Sequence, residues 1–122
     1  MADQDGGTLT THVLDTATGQ PASGLQIKLY RVGISGAHEK IADVTTNADG
    51  RCDGPLLAAD DFQKGLYKLK FYAGAYFDGL GLDLPDPKFL DEVVIRFGMS
   101  DPVHYHVPLL LSPFGYSTYR GS

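Results

Sequence analysis

The chain has 122 residues, with 10 Lys and Arg against 15 Asp and Glu and a formal net charge of −5 at pH 7 with neutral histidines. That balance argues against a nucleic-acid surface, which needs clustered cations to neutralise phosphates. Cys52 is the one cysteine, which excludes an intrachain disulfide, and the length suits one domain that buries a core without covalent staples.

Residues 1–7 read as a flexible leader carrying neither the basic nor the apolar region of a secretory signal. No apolar run reaches the roughly 18 residues of a membrane span, and the closing Arg-Gly-Ser is not a peroxisomal address. The expectation is a cytoplasmic protein with one domain over residues 8–122 and no dealings with membrane or nucleic acid.

From Leu9 to Asp15, Leu9, Thr11 and Val13 alternate with Thr10, His12 and Leu14, the period of a strand with one buried face. His12 therefore faces away from Leu9 and Val13. Thr16–Gly24 is turn-rich, and Leu25 to Val32 resumes the alternation with Leu25, Ile27 and Leu29 on one side. A glycine-containing loop then leads to a third strand over Glu39–Thr46, closed by Asn47-Ala48-Asp49-Gly50. Asn, Asp and Gly supply the side-chain hydrogen bonds and positive φ of a tight turn, so Arg51 is expected at a fixed place just beyond it. Cys52–Leu57 can hold a short fourth strand, paired with the third as a hairpin.

After the polar connection Asp60–Lys64, Gly65–Tyr72 sets Tyr67, Leu69 and Phe71 opposite Leu66, Lys68 and Lys70. Ala73–Leu80 is the helix candidate, although each of its two glycines costs about 1 kcal/mol relative to alanine. Pro85 and Pro87 mark an irregular loop. Glu92–Phe97 is a strand with Val93, Ile95 and Phe97 towards the core, and the last two strands cover Val103–Leu111 and about Phe114 to Tyr119. Eight short strands separated by turn signals, with one helix at most, predict an all-β fold: an antiparallel β-sandwich with one short helix.

The strand over Val103–Leu111 has two partly apolar faces. Val103, Tyr105, Val107, Leu109 and Leu111 suit a sandwich core, while His104, His106, Pro108 and Leu110 point the other way. The second face is more apolar than a solvated one usually is, and is expected to be buried against another subunit.

His12, His104 and His106 thus lie on outward strand faces and are free to meet outside the core. Any one of them taken alone reads as a surface or hydrogen-bonded histidine, as does His38 in its loop. A His-x-His pair on one face raises a zinc site with His12 as third ligand, but no Cys or Asp/Glu pattern supports it. A serine nucleophile lacks the Gly-x-Ser-x-Gly elbow. The more economical chemistry is an imidazole as general base for water, since it titrates near neutral pH. Arg51 taken alone reads first as a partner in a surface ion pair. Held near the histidines, its fork of donors would bind a planar anionic substrate and stabilise developing negative charge. Tyr119, Arg120 and Ser122 give the tail a ring, a guanidinium and a terminal carboxylate beside a hydroxyl, more recognition capacity than a frayed end needs.

Leu9-Thr-Thr-His-Val-Leu-Asp15, the following Gly19-Gln-Pro-Ala, the turn into Arg51 and the ending from His104 to Tyr119-Arg-Gly-Ser122 closely resemble the 5-hydroxyisourate hydrolases of the transthyretin-like family. The resemblance covers nearly all the chain from Leu9, and its most specific part is the terminal Tyr-Arg-Gly-Ser, which separates the hydrolases from true transthyretins. It implies a transthyretin-like sandwich of two four-stranded sheets. It also implies a homotetramer, a dimer of dimers, whose central channel is lined by the outward faces of the first and penultimate strands. The implied reaction is cofactor-free and metal-free: hydrolytic ring opening of 5-hydroxyisourate to 2-oxo-4-hydroxy-4-carboxy-5-ureidoimidazoline. By resemblance the catalytic residues are His12, Arg51 and His106. Substrate binding falls to Tyr119, Arg120, Gly121 and Ser122, with His104 in support. Phe114, where the family commonly has tyrosine, and the Pro85/Pro87 loop are departures that leave this set untouched. The rival expectations are a transthyretin-like carrier of an aromatic ligand, for which two histidines and an arginine are poor channel lining, and a monomeric sandwich module.

Overall fold

The computed structural model describes residues 6–121. In chain order the elements are β1 (Thr8–Asp15), β2 (Gln20–Pro21), β3 (Gln26–Val32), β4 (His38–Thr45), β5 (Leu57–Ala58), a 3₁₀ turn (Ala59–Asp61), β6 (Gly65–Phe71), α1 (Ala73–Gly79), β7 (Val93–Met99), β8 (His104–Ser112) and β9 (Gly115–Thr118). The first sheet runs β2-β1-β8-β9, with β5 also on β1, and the second runs β4-β3-β6-β7. The expected sandwich of two sheets and one short helix is what the chain forms.

The alternation read from the sequence is the alternation of burial. Leu9, Val13, Leu109 and Leu111 from the first sheet meet Ile27, Leu29, Tyr67, Leu69 and Phe71 from the second, all at 0% exposure. Each such side chain contributes about 1.5–3 kcal/mol through the apolar surface it removes from water. The core therefore holds β1 and β8 by their inner faces and leaves their outer faces free for other work.

Among the described residues every ladder is antiparallel except that of β1 with β8. These two run parallel and in register from Thr8 opposite His104 to Asp15 opposite Leu111. Parallel neighbours need a long crossover connection, and the whole second sheet lies between these two strands in the chain. Two outward side chains far apart in sequence thereby become direct neighbours.

α1 forms despite its glycines because Gly74 lets it dock. The Gly74 N–H donates to the Asp91 carbonyl at 2.7 Å, and a Cβ there would stand 2.5 Å from Asp91 Oδ1. The helix is tied to β1 by Tyr76, whose hydroxyl donates to Asp15 Oδ2 at 2.8 Å. Asp15 is buried, and its Oδ1 accepts the N–H groups of Ala17 and Thr18 at 3.0 and 3.2 Å. One carboxylate thus closes the β1–β2 turn and anchors the helix.

Three expectations change. The hairpin of the third strand with residues 52–57 does not form: Leu57 and Ala58 pair antiparallel with Leu9 and Thr8 of β1, so this stretch crosses to the first sheet. Burial of Leu56 and Leu57 draws it there. Val103, expected in the core, precedes β8 and is 45% exposed, so the inward series starts at Tyr105. Of the expected leader, residues 1–5 lie outside the described residues, but Gly7 is buried and its carbonyl accepts the Ala59 N–H at 3.1 Å. Packing begins before β1.

Candidate active site

The site is built on the outer face of β1 and β8. The parallel register sets Thr10 beside His106 and His12 beside Pro108, so His12 and His106 are diagonal neighbours one pleat apart. On the far edge of β1, Arg51 forms an antiparallel bridge with His12. On the far edge of β8, Gly121 forms the matching bridge with His106 and donates its N–H to the His106 carbonyl at 2.7 Å. The order across the sheet is Arg51, His12, His106, Gly121.

Arg51 is delivered by the turn before it. The Asn47 side-chain oxygen accepts the N–H groups of Asp49 and Arg51 at 2.9 and 3.2 Å, and the Asn47 N–H donates to the Arg51 carbonyl at 2.8 Å. Gly50 has φ of 73°, and its carbonyl accepts the Val13 N–H at 2.8 Å. Any Cβ at Gly50 would run into the Val13 carbonyl oxygen, so glycine is required both for the backbone angle and for the close approach to β1. The turn signal read from the sequence is thus the device that sets Arg51 against His12.

His12 and His106 are half-buried, and His104 is exposed. The His104 and His106 rings are stacked at 6.4 Å with 13° between planes. Thr8 Oγ1 lies 2.6 Å from His104 Nδ1, and Thr10 Oγ1 lies 2.8 Å from His106 Nδ1. Burial, and after it the Arg51 guanidinium, hold His12 below the ordinary imidazole pKa, an effect only partly offset by a hydrogen bond to the Asp49 backbone. His106 is lowered by burial first, then by Arg51, His104 and His12, with the Thr10 backbone pulling the other way. Desolvation and a neighbouring cation both disfavour the imidazolium. Two neutral imidazoles beside a permanent cation can accept a proton from water and stabilise an oxyanion.

The structure does not gather the whole tail here. Gly121 reaches His106, but the Arg120 guanidinium stands 4.3 Å from the centre of the Tyr105 ring, and Tyr105 points to the core side of β8. Tyr119 is 59% exposed. Tyr119 and Arg120, with Phe97, Ser100, Tyr105 and Val107, line a cavity of about 360 Å³ at the open edge between β7 and β9. A smaller hollow of about 240 Å³ is lined by Thr10, Arg51, Cys52 and Pro55. Ser122 lies outside the described residues. Among those residues no group of three or more His, Cys, Asp or Glu side chains is arranged to hold a metal ion, and no helix is long and apolar enough to cross a membrane.

Thr8, Thr10, Asn47 and Asp49 were not among the residues expected at the site. The alternation of β1 does put Thr8 and Thr10 on the His12 face, but their partners on β8 are decided by the register.

Fold and site together define a transthyretin-like β-sandwich with a histidine–arginine centre on its first sheet. The model of the HIUase/Transthyretin family matches residues 9–121, and the chain belongs to that family. It is 64% identical over 118 residues to a 5-hydroxyisourate hydrolase of Mesorhizobium japonicum, covering 97% of this chain and 94% of the relative. Among solved structures it resembles the Klebsiella pneumoniae 5-hydroxyisourate hydrolase, with a TM-score of 0.80, 37% identity and coverage of 95% and 99% of the two chains. It also resembles an (S)-allantoin synthase, with a TM-score of 0.92 and 42% identity. There all of this chain matches but accounts for 46% of the larger protein.

Proposed function

We propose that this chain hydrolyses 5-hydroxyisourate, opening the six-membered ring at an amide bond to give 2-oxo-4-hydroxy-4-carboxy-5-ureidoimidazoline, with neither metal nor other cofactor. The observation that carries the reading is the row Arg51, His12, His106, in which burial and one shared guanidinium lower both imidazole pKa values.

In this reading His106, aided by His12, takes a proton from water as the water oxygen attacks the amide carbonyl carbon. Negative charge develops on the carbonyl oxygen, and the Arg51 guanidinium stabilises it while holding the substrate in its anionic form. The ring C–N bond breaks as the histidines pass the proton to the leaving nitrogen. Tyr119, Gly121 and Ser122 close the pocket, His104 supports it, and Arg120 serves by holding the tail in place.

The reading includes a homotetramer, a dimer of dimers. Both β7 and β9 are edge strands on the same side of the sandwich, and Val94, Tyr116 and Tyr119 are 43%, 47% and 59% exposed there. Unpaired strand edges carrying apolar side chains favour pairing with another chain. Leu14 and Leu110 are only partly covered on the histidine face, which suits that face to packing against a second dimer. A cytoplasmic location belongs to the same reading, to which the free thiol of Cys52 is suited.

The test is to generate 5-hydroxyisourate with urate oxidase and follow its ultraviolet decay with and without this protein. Accelerated decay giving one product enantiomer by circular dichroism is expected. Decay at the spontaneous rate would overturn the proposal. Sedimentation at the working concentration reads the assembly, and a monomer would overturn the tetramer.

A further inference from the structure

The His106 ring is held on two of its edges. At one edge, Nδ1 faces the Thr10 hydroxyl at 2.8 Å. At another, the Gly121 backbone comes so close that a Cβ there would stand 2.8 Å from His106 Cδ2. The ring edge formed by Nε2 and Cε1 is the one these contacts leave for a water or a substrate. The same geometry is repeated one pleat away, where Thr8 Oγ1 meets His104 Nδ1 at 2.6 Å.

From this geometry we infer that Thr10 is a positioning residue for His106: it keeps the ring proton on Nδ1 and so leaves the lone pair on Nε2, the nitrogen that faces the reaction. The inference rests on reading His106 as the base. A neutral imidazole has one N–H and one lone pair, and the partner of the first nitrogen decides which tautomer is present. A hydroxyl alone could donate or accept. In the inferred arrangement the hydroxyl accepts, with its own proton turned away from the ring. With Thr10 Oγ1 as acceptor, Nδ1 is the protonated nitrogen and Nε2 carries the lone pair.

The choice of threonine has a physical reason. A carboxylate in this place would also hold Nδ1–H, but its charge would favour the imidazolium and occupy the base with a proton near neutral pH. A hydroxyl orients the ring without adding charge. His106 then stays both oriented and unprotonated beside Arg51, a combination a carboxylate would forfeit.

The test uses the full-length protein and three substitutions. Thr10→Val keeps the shape and removes the hydroxyl; it is expected to lower kcat roughly 10–100-fold, the range for losing an orienting partner, with KM nearly unchanged. Thr10→Ser should recover most of that loss. Thr10→Asp should move the acid limb of the kcat profile to higher pH. Long-range ¹H–¹⁵N spectra of the imidazoles read the tautomer without reference to turnover: wild type and Thr10→Ser should show His106 protonated at Nδ1, and Thr10→Val a mixture. A wild-type tautomer in Thr10→Val, or a rise in KM with kcat intact, would overturn the inference. His106→Asn separates the two claims: activity retained in that variant removes the base reading, whereas the tautomer shift in Thr10→Val stands or falls by itself.

Discussion

Gly121 donates its backbone N–H to the His106 carbonyl at 2.7 Å, and its α-carbon rests against the His106 imidazole. The end of the chain is therefore part of the wall around a histidine that β8 supplies. A methyl group at this position would stand 2.8 Å from Cδ2, inside van der Waals contact, so either the ring or the tail must move. Gly121→Ala is expected to lower kcat by about 10-fold or more, as small misplacements of reacting groups do, while the urea midpoint changes little. Steady-state kinetics beside urea unfolding would check it, and unchanged kcat would show that the tail does not bear on the ring.

Arg120 should act on the same tail from the other side of the sheet. Its guanidinium covers the Tyr105 ring, and Tyr105 is itself fixed by its hydroxyl, which accepts the N–H groups of Ser100 and Asp101 at 2.9 and 3.0 Å. Arg120→Ala removes an exposed cation–π contact of about 0.5–1 kcal/mol, enough to loosen the terminal residues but not the domain. Activity is expected to fall with the melting temperature nearly constant, and Arg120→Lys should retain part of it. Equal loss in the two variants would mean that the guanidinium contacts substrate directly.

The acid limb of activity should lie below the ordinary histidine value, because burial and then Arg51 lower both His12 and His106. Arg51→Gln removes one of these causes, so the limb should move to higher pH as kcat/KM falls about 100-fold or more from loss of the proposed oxyanion partner. Profiles of kcat/KM against pH for the two proteins would show it. A limb that stays in place would mean that Arg51 is not coupled to the base.

The same shifts bear on stability. His12 and His106 have lower pKa values folded than unfolded, so the unfolded chain binds more protons at these two groups as pH falls below about 6.5. Above that value the two states are both neutral and these groups contribute nothing. As pH drops through the lowered folded pKa, stability is lost progressively. Urea midpoints taken from pH 7 to pH 5 should fall for the wild type and fall less for His106→Asn.

Tyr76→Phe tests the junction of α1 with β1 at a distance from the chemistry. Burial and the bond to Asp15 raise the Tyr76 pKa strongly, so the hydroxyl stays a donor throughout the working range. Removing it leaves Asp15 Oδ2 buried without that partner, at a cost of about 1–3 kcal/mol. Thermal unfolding should show the loss with kcat little changed.

Most of the strands were legible because their physical cause is local. Period-two burial in Leu9–Asp15, in Tyr67–Phe71 and, with buried Pro108 as the exception, in Tyr105–Leu111 is written in residues that follow one another, and so is the Asn47–Gly50 turn that stations Arg51. The faint helix at Ala73 was legible too, although its docking through Gly74 was not. Residues 52–57 misled because a short apolar stretch after a turn reads as a hairpin, while the burial that draws Leu56 and Leu57 to β1 is a property of the packed sandwich. Arg120 is the sharper case. Composition marked it as recognition equipment, yet the local path of the tail turns it to Tyr105.

What the sequence determined by itself was which face each residue of β1 and β8 would show, and hence that His12, His104 and His106 would all lie outside the core. Alternation dictates that whatever the partner strand. Only the tertiary structure decided who would be neighbours, because register is a relation between strands and burying their inner faces against the second sheet leaves no freedom to slip by one residue. That register brings Thr10 to His106 and His12 beside them, while the Gly50 turn and the returning tail add Arg51 and Gly121 at the two edges.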